Sequence, residues 1–196
     1  RIDMQQRKRR RGGVKRLRRQ VQHDGAVLAD RVQHHWAFGL GSHLAHDVII
    51  GNNCIMSNNT QIAGHVEMGD WAVLGGMCAI HQFVKIGQHA FVSGGSLVGK
   101  DVPPYIKAGR QPLSYAGVNS VGLKRRGFTI DKINHILEIY RVIYNKGMNT
   151  SQALEYLEEE FSATDERDEI VTFIRESGRG IIKRYSKNSV DEDIAD

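Results

Sequence analysis

Cut from Leu44, the chain falls into ten consecutive hexads without an insertion: LAHDVI, IGNNCI, MSNNTQ, IAGHVE, MGDWAV, LGGMCA, IHQFVK, IGQHAF, VSGGSL and VGKDVP. Every first position, from Leu44 through Ile50, Met56 and Ile62 to Val98, is aliphatic or Met, and every fifth position, from Val48 to Val102, is small or β-branched. Gly, Ala or Ser takes the second place in nine of the ten, with His81 the exception. A helix of period 3.6 cannot keep every sixth residue inward over so long a stretch, and simple alternation leaves the fixed small residue at the fifth place unexplained. A coil of three short strands, about 18 residues per turn, accounts for both. The predicted fold over residues 42–106 is therefore a hexapeptide-repeat parallel β-helix of triangular section. First-position aliphatics fill its interior, and Gly and Asn supply the corner conformations. FGLGSH, residues 38–43, reads as one more hexad. So short a stack, open at its ends, needs caps or neighbours, which predicts an oligomer.

The period changes after DVPPY, where two prolines stop the strand repetition. Residues 107–128 read as a connecting loop. Ile130, Ile133, Ile136, Leu137, Ile139, Tyr140, Val142 and Ile143 then recur at helical spacing. Thr150 or Ser151 is placed to cap a second helix through Leu157, and Thr164 or Asp165 a third carrying Ile170, Phe173, Ile174 and Ile181. A small α-helical C-terminal domain over 129–185 follows, with an acidic, frayed tail at 186–196.

The net charge of +5 changes meaning once it is located. Residues 1–19 hold ten Lys/Arg against Asp3 alone, or +9, which leaves 17 basic and 21 acidic residues, or −4, for the remainder. The basic segment carries no interleaved aromatic residue for base stacking, so a nucleic-acid partner is not expected. It reads as disordered or foreign to the rest of the chain. No run of 18 apolar residues and no apolar segment after the basic N-terminus occurs, so neither a membrane span nor a secretory signal is predicted, and a cytoplasmic location is expected. Cys54 and Cys78 fall at fifth positions, where buried free thiols are expected rather than a disulfide.

An 18-residue turn stacks His46, Gly64, Gln82 and Lys100 in one column, with His65 and His81 one place from it. Three imidazoles are a ligand set for a metal, but the histidine spacing of metal-binding hexapeptide proteins is absent, and no metal is expected. His46 beside Asp47, facing the backbone of Gly64, suits a general base with an oxyanion donor. Adjacent residues on a regular strand point oppositely, so Asp47 orients His46 only if the corner bends the chain.

SHLAHD, NNTQIAGHVEMGD, GGMCAIHQF, DVPPY and NSVGLKRRGF, followed by a helical segment ending near GRGIIKRY, resemble the UDP-N-acetylglucosamine O-acyltransferases of lipid A biosynthesis over about residues 42–185. The resemblance implies a left-handed β-helix, a homotrimer with sites between neighbouring prisms, and no cofactor. It implies transfer of a 3-hydroxyacyl group from acyl carrier protein to the 3-hydroxyl of UDP-N-acetylglucosamine. By matching motifs, His46 is the general base, Asp47 orients it and the Gly64 amide holds the oxyanion. His43, His65, His81 and Gln82 line the sugar and pantetheine cleft, Asn119 and Arg125 contact nucleotide or donor, and Gly94 sits where the family measures acyl-chain length. Val121 stands where many members have glutamate. Where the family has further coils, residues 1–41 show no hexads, which reads as an out-of-frame start with the recognisable protein resuming near Gly41 or Ser42. The alternatives are a related UDP-3-O-acylglucosamine N-acyltransferase, or a catalytically dead trimeric scaffold with a basic arm for nucleic acid or membrane.

Overall fold

The computed structural model describes residues 37–185. The expectations for the basic segment up to residue 36 and for the acidic tail from 186 lie outside the described residues. Eleven two-residue strands follow one another every six residues, from β1 (Ala37–Phe38), β2 (His43–Leu44), β3 (Ile49–Ile50), β4 (Ile55–Met56), β5 (Gln61–Ile62) and β6 (Glu67–Met68) to β7 (Val73–Leu74), β8 (Ala79–Ile80), β9 (Lys85–Ile86), β10 (Phe91–Val92) and β11 (Leu97–Val98). They stack into three parallel sheets, β1-β4-β7-β10, β2-β5-β8-β11 and β3-β6-β9, with partners 18 residues apart, as in His43↔Gln61 and Gln61↔Ala79. The coils thus begin upstream of residue 42, because Ala37 and Phe38 pair with Ile55 and Met56.

The interior is built as the period requires. From Ile50 to Val98 the first-position side chains are at most 3% exposed, and so are all ten fifth-position residues. Each buried large aliphatic contributes about 1.5–3 kcal/mol relative to exposure. The small polar fifth residues close on their own corners: Thr60 Oγ1 donates to Ser57 O at 2.7 Å and Ser96 Oγ to Ser93 O at 2.7 Å. Cys54 and Cys78 are buried free thiols, and burial pushes Cys54 up to about 11. The corner chemistry meets the expectation in part. The left-handed residue is the fourth of each hexad from Asp47 (φ 55°) to Gly95 (φ 72°); Asn53, Asn59 and Gly95 are of the expected types, whereas Asp47, His65, Trp71, Met77, Phe83 and His89 are not. Second-position glycine is needed for space instead: a Cβ on Gly69 would lie 2.5 Å from the Gln88 amide of the next coil.

The repeat breaks within the tenth hexad. Val98 still faces Ile80, but Val102 faces Ile86 and Lys107 faces Phe91, 16 residues apart rather than 18. The last coil is two residues short. The Asp101 amide donates to Gly180 O at 3.0 Å, so the ladder along the predicted column stops at Gln82 and does not continue to Lys100. The stretch 107–128, expected as a loop, is ordered: β12 (Ile106–Gly109) adds to β10, β13 (Ser114–Val118) pairs antiparallel with it, and α1 (Ser120–Arg125) follows. Helices α2 (Ile130–Asn145), α3 (Thr150–Glu160) and α4 (Asp165–Arg175) complete the chain, capped by Thr129, Asn149 and Thr164. Asn149, one residue before the expected caps, forms a capping box with Gln152.

The helices close the end of the prism. Tyr140 Oη donates to Pro104 O at 2.5 Å, and buried Asp101 accepts from Lys85 N at 2.8 Å and Ser177 Oγ at 2.6 Å. Tyr105 and Gln88 of the prism both donate to Glu169 of α4. Burial, the largest influence on that carboxyl, pushes it up to about 7. No helix among the described residues is long and apolar enough to cross a membrane.

Candidate functional site on the first edge of the prism

The edge that follows β2, β5 and β8 collects six of the residues singled out from sequence, His46, Asp47, Gly64, His65, His81 and Gln82, while exposed His43 lies on β2 itself. The left-handed Asp47 bends the chain at the corner, and His46 Nδ1 meets Asp47 Oδ2 at 3.2 Å. Their side chains are 63% and 38% exposed, so the pair is open to a ligand. One coil on, a Cβ added at Gly64 would lie 2.7 Å from both Cε1 and Nε2 of His46. The imidazole therefore lies over the glycine, in the place a side chain would occupy. The buried Gly64 N–H donates to no other group among the described residues. A ring whose Nδ1 is held by a carboxylate presents Nε2 as a proton acceptor, and an unspent amide beside it is a ready donor for developing negative charge.

A second column, not singled out from sequence, stiffens this edge. Asp47, His65 and Phe83 are 18 apart, and the His65 ring stacks face to face on Phe83 (centroids 4.9 Å, 11°) while meeting His46 edge-on (4.9 Å, 85°). The signal was present in the repeat, one position from the column that drew attention. His81 and Gln82 are exposed, with His81 Nδ1 3.0 Å from Gln82 O. The ligand atoms of His46, Asp47 and His65 all lie within 4.8 Å of one another.

The other candidates stand elsewhere. Helix α1 docks on the second edge, which follows β3, β6 and β9. There Asn119 caps α1 by accepting from Gly122 N at 3.2 Å and donates to His89 O at 2.9 Å; its amide is committed to the fold. Arg125 is exposed, and its side chain makes no hydrogen bond or ion pair among the described residues. Arg126 instead packs inward, 5.3 Å over the Trp71 ring and 3.4 Å from His89 Nδ1. Burial first, then the Arg126 charge, push His89 down to about 4, so it stays neutral and accepts from the guanidinium. Trp71, His89 and Tyr105 stack along this edge; the shortened coil brings Tyr105 under His89. Exposed Val121 lines a shallow hollow of about 270 Å³ with Ser120, Lys124, Ile130 and Ile133. Gly94 lies on the third edge, beside Gly76, whose carbonyl a Cβ there would meet at 3.0 Å.

The family model described as Udp N-acetylglucosamine O-acyltransferase, Domain 2, matches residues 101–182. The acyl-(acyl-carrier-protein)–UDP-N-acetylglucosamine O-acyltransferase of Thiobacillus denitrificans is 38% identical over 153 residues, 78% of this chain and 59% of that protein. A UDP-N-acetylglucosamine acyltransferase structure from Bacteroides fragilis superposes with a TM-score of 0.72 at 47% identity, covering 73% of this chain and 56% of that one. The Francisella novicida UDP-N-acetylglucosamine acyltransferase matches with a TM-score of 0.64 at 30% identity, covering 82% of this chain and 70% of its own. The chain spans about three fifths of the Thiobacillus relative's length.

Proposed function

The chain belongs to the UDP-N-acetylglucosamine O-acyltransferase family, and from that membership we propose that it moves a (R)-3-hydroxyacyl group from acyl carrier protein to the 3-hydroxyl of UDP-N-acetylglucosamine, the first step of lipid A synthesis. The observation that carries the reading is the His46–Asp47 pair lying over the unspent Gly64 amide. Asp47 accepts a hydrogen bond from Nδ1–H, and Nε2 takes the proton of the sugar hydroxyl as its oxygen attacks the thioester carbonyl. The Gly64 N–H receives the oxyanion. A C–O bond forms, the C–S bond breaks, and the proton held by His46 passes to the departing thiolate. His65, His81 and Gln82 line the approach on the same edge, and His43 flanks it from β2.

Arg125, Asn119 and Gly94 belong to other edges of the same prism, so a site using all of them is completed by neighbouring copies; we place it between subunits of a homotrimer. Exposed Arg125 supplies a charge for nucleotide or carrier phosphates, and Asn119 acts by holding α1 in place. Buried free thiols suit a reducing, cytoplasmic setting. The test is acyl transfer from a 3-hydroxyacyl carrier-protein thioester to UDP-N-acetylglucosamine by the full chain and by His46→Ala. The reading requires a loss on the order of 10²–10⁴-fold in the variant. Activity that is indifferent to this substitution sinks the mechanism.

A further inference from the structure

The first edge carries two imidazoles and a carboxylate in the arrangement of a metal site. We propose that His46, Asp47 and His65 bind one zinc-class divalent cation, and that the bound cation shuts off the base. The inhibitory consequence rests on the catalytic reading above; the binding does not.

Zinc held tetrahedrally by nitrogen and oxygen at about 2.0–2.1 Å places its ligand atoms roughly 3.3 Å apart. His46 Nδ1 and Asp47 Oδ2 already stand 3.2 Å apart, held so by the left-handed corner at Asp47. The third ligand comes from the next coil: one ring nitrogen each of His46 and His65 and one Asp47 carboxylate oxygen lie within 4.8 Å of one another. Rotation about the His65 side-chain torsions closes the remaining gap, at the expense of part of its stacking on Phe83. His46 is exposed, which leaves room for water as the fourth ligand. Imidazole and carboxylate donors favour zinc and its first-row neighbours over calcium or magnesium, which take oxygen ligands.

The consequence follows from the two-nitrogen chemistry of the ring. As a base, His46 carries its proton on Nδ1, toward Asp47, and accepts at Nε2. A neutral imidazole that ligates through Nδ1 carries its one proton on Nε2 instead. The cation takes the place of the Nδ1 proton, that proton is carried on Nε2, and the nitrogen facing the hydroxyl becomes a donor. Asp47 is drawn to the cation at the same time. The ion is thus an inhibitor that acts by switching the tautomer.

The experiment uses the full chain, stripped by a chelator and titrated calorimetrically with zinc, and separately with cobalt to read its visible absorption. The expected result is one tight site per chain with the absorption of a tetrahedral nitrogen–oxygen cobalt centre. Affinity should fall at least tenfold in His65→Ala and in Asp47→Ala, and stay unchanged in His135→Ala, whose ring lies on the helical domain against Thr164. Histidines near the N-terminus, such as His34 and His35, offer rival ligands, and binding that survives His65→Ala assigns the metal to them and overturns the site. Absence of binding at millimolar zinc overturns it too. Zinc that binds through His65 without lowering the acyl transfer of an active chain keeps the site and refutes the tautomer switch; a chain inactive before zinc is added speaks against the catalytic reading alone.

Discussion

Replacing Gly64 with alanine tests the link between fold and chemistry more sharply than removing a catalytic group. The added Cβ would stand 2.7 Å from Cε1 and Nε2 of His46 and 3.2 Å from Nδ1. Carbon atoms in contact sit at about 3.5–4.0 Å, so the ring must retreat by about 1 Å. Because the His46 side chain is 63% exposed, it swings toward solvent at little cost to folding. Gly64 is outside the positive-φ region, and alanine at such a position commonly stabilises by about 0.4–1 kcal/mol through the unfolded chain. The base, however, leaves its place beside Asp47 and the amide, and a displacement of about 1 Å costs on the order of 100-fold in rate, or about 2.7 kcal/mol. The expected phenotype of Gly64→Ala is therefore a kcat/KM near one hundredth of the parent with an unchanged or slightly raised Tm. Release of carrier thiol measures the first and thermal unfolding the second. A kcat/KM within about threefold of the parent would refute the placement of His46 over Gly64; a Tm that collapses with the activity would return the effect to folding.

Two further expectations concern assembly and pH. If Arg125 and His46 of different copies share a site, equal mixing of inactive His46→Ala and Arg125→Ala chains through reversible unfolding restores about a quarter of parental activity, since one site in four pairs two intact residues; no recovery means that the residues act in the same chain, and an Arg125→Ala chain that is active by itself means that Arg125 is dispensable. Glu169 is raised from 4.5 to about 7 by burial between the prism and α4, so its protonated form is favoured by folding. That contribution is complete below about pH 4.5 and is lost as pH rises through about 7, an upper bound of about 3 kcal/mol. Glu169→Gln should flatten the stability profile between those limits and equal or exceed the parent in denaturant at pH 8; a variant profile still falling across that window assigns the dependence to another group.

The hexad period determined the architecture by itself, because a side chain that recurs inward every sixth residue admits three faces per coil and little else. It also placed His46, Gly64 and Gln82 on one edge, since a fixed 18-residue turn makes stacking a matter of counting. The helical spacing and caps after residue 129 were legible for the same reason: both are local. What the tertiary structure decided were the departures from regularity. Left-handed corners tolerate His65, Trp71 and Phe83 because the ladders on either side hold the backbone, so Asn53, Asn59 and Gly95 mark only some of the corners. The shortening of the last coil, which brings Tyr105 beneath His89 and ends the His46 column at Gln82, depends on packing against residues some eighty positions away. The sequence could place NSVGLKRRGF in a loop, but only the docked α1 separates its arginines, turning Arg126 into Trp71 and leaving Arg125 outward. Composition and period report what a residue's neighbours along the chain require; which of two adjacent guanidinium groups meets an aromatic face is a question of burial, and burial is settled in three dimensions.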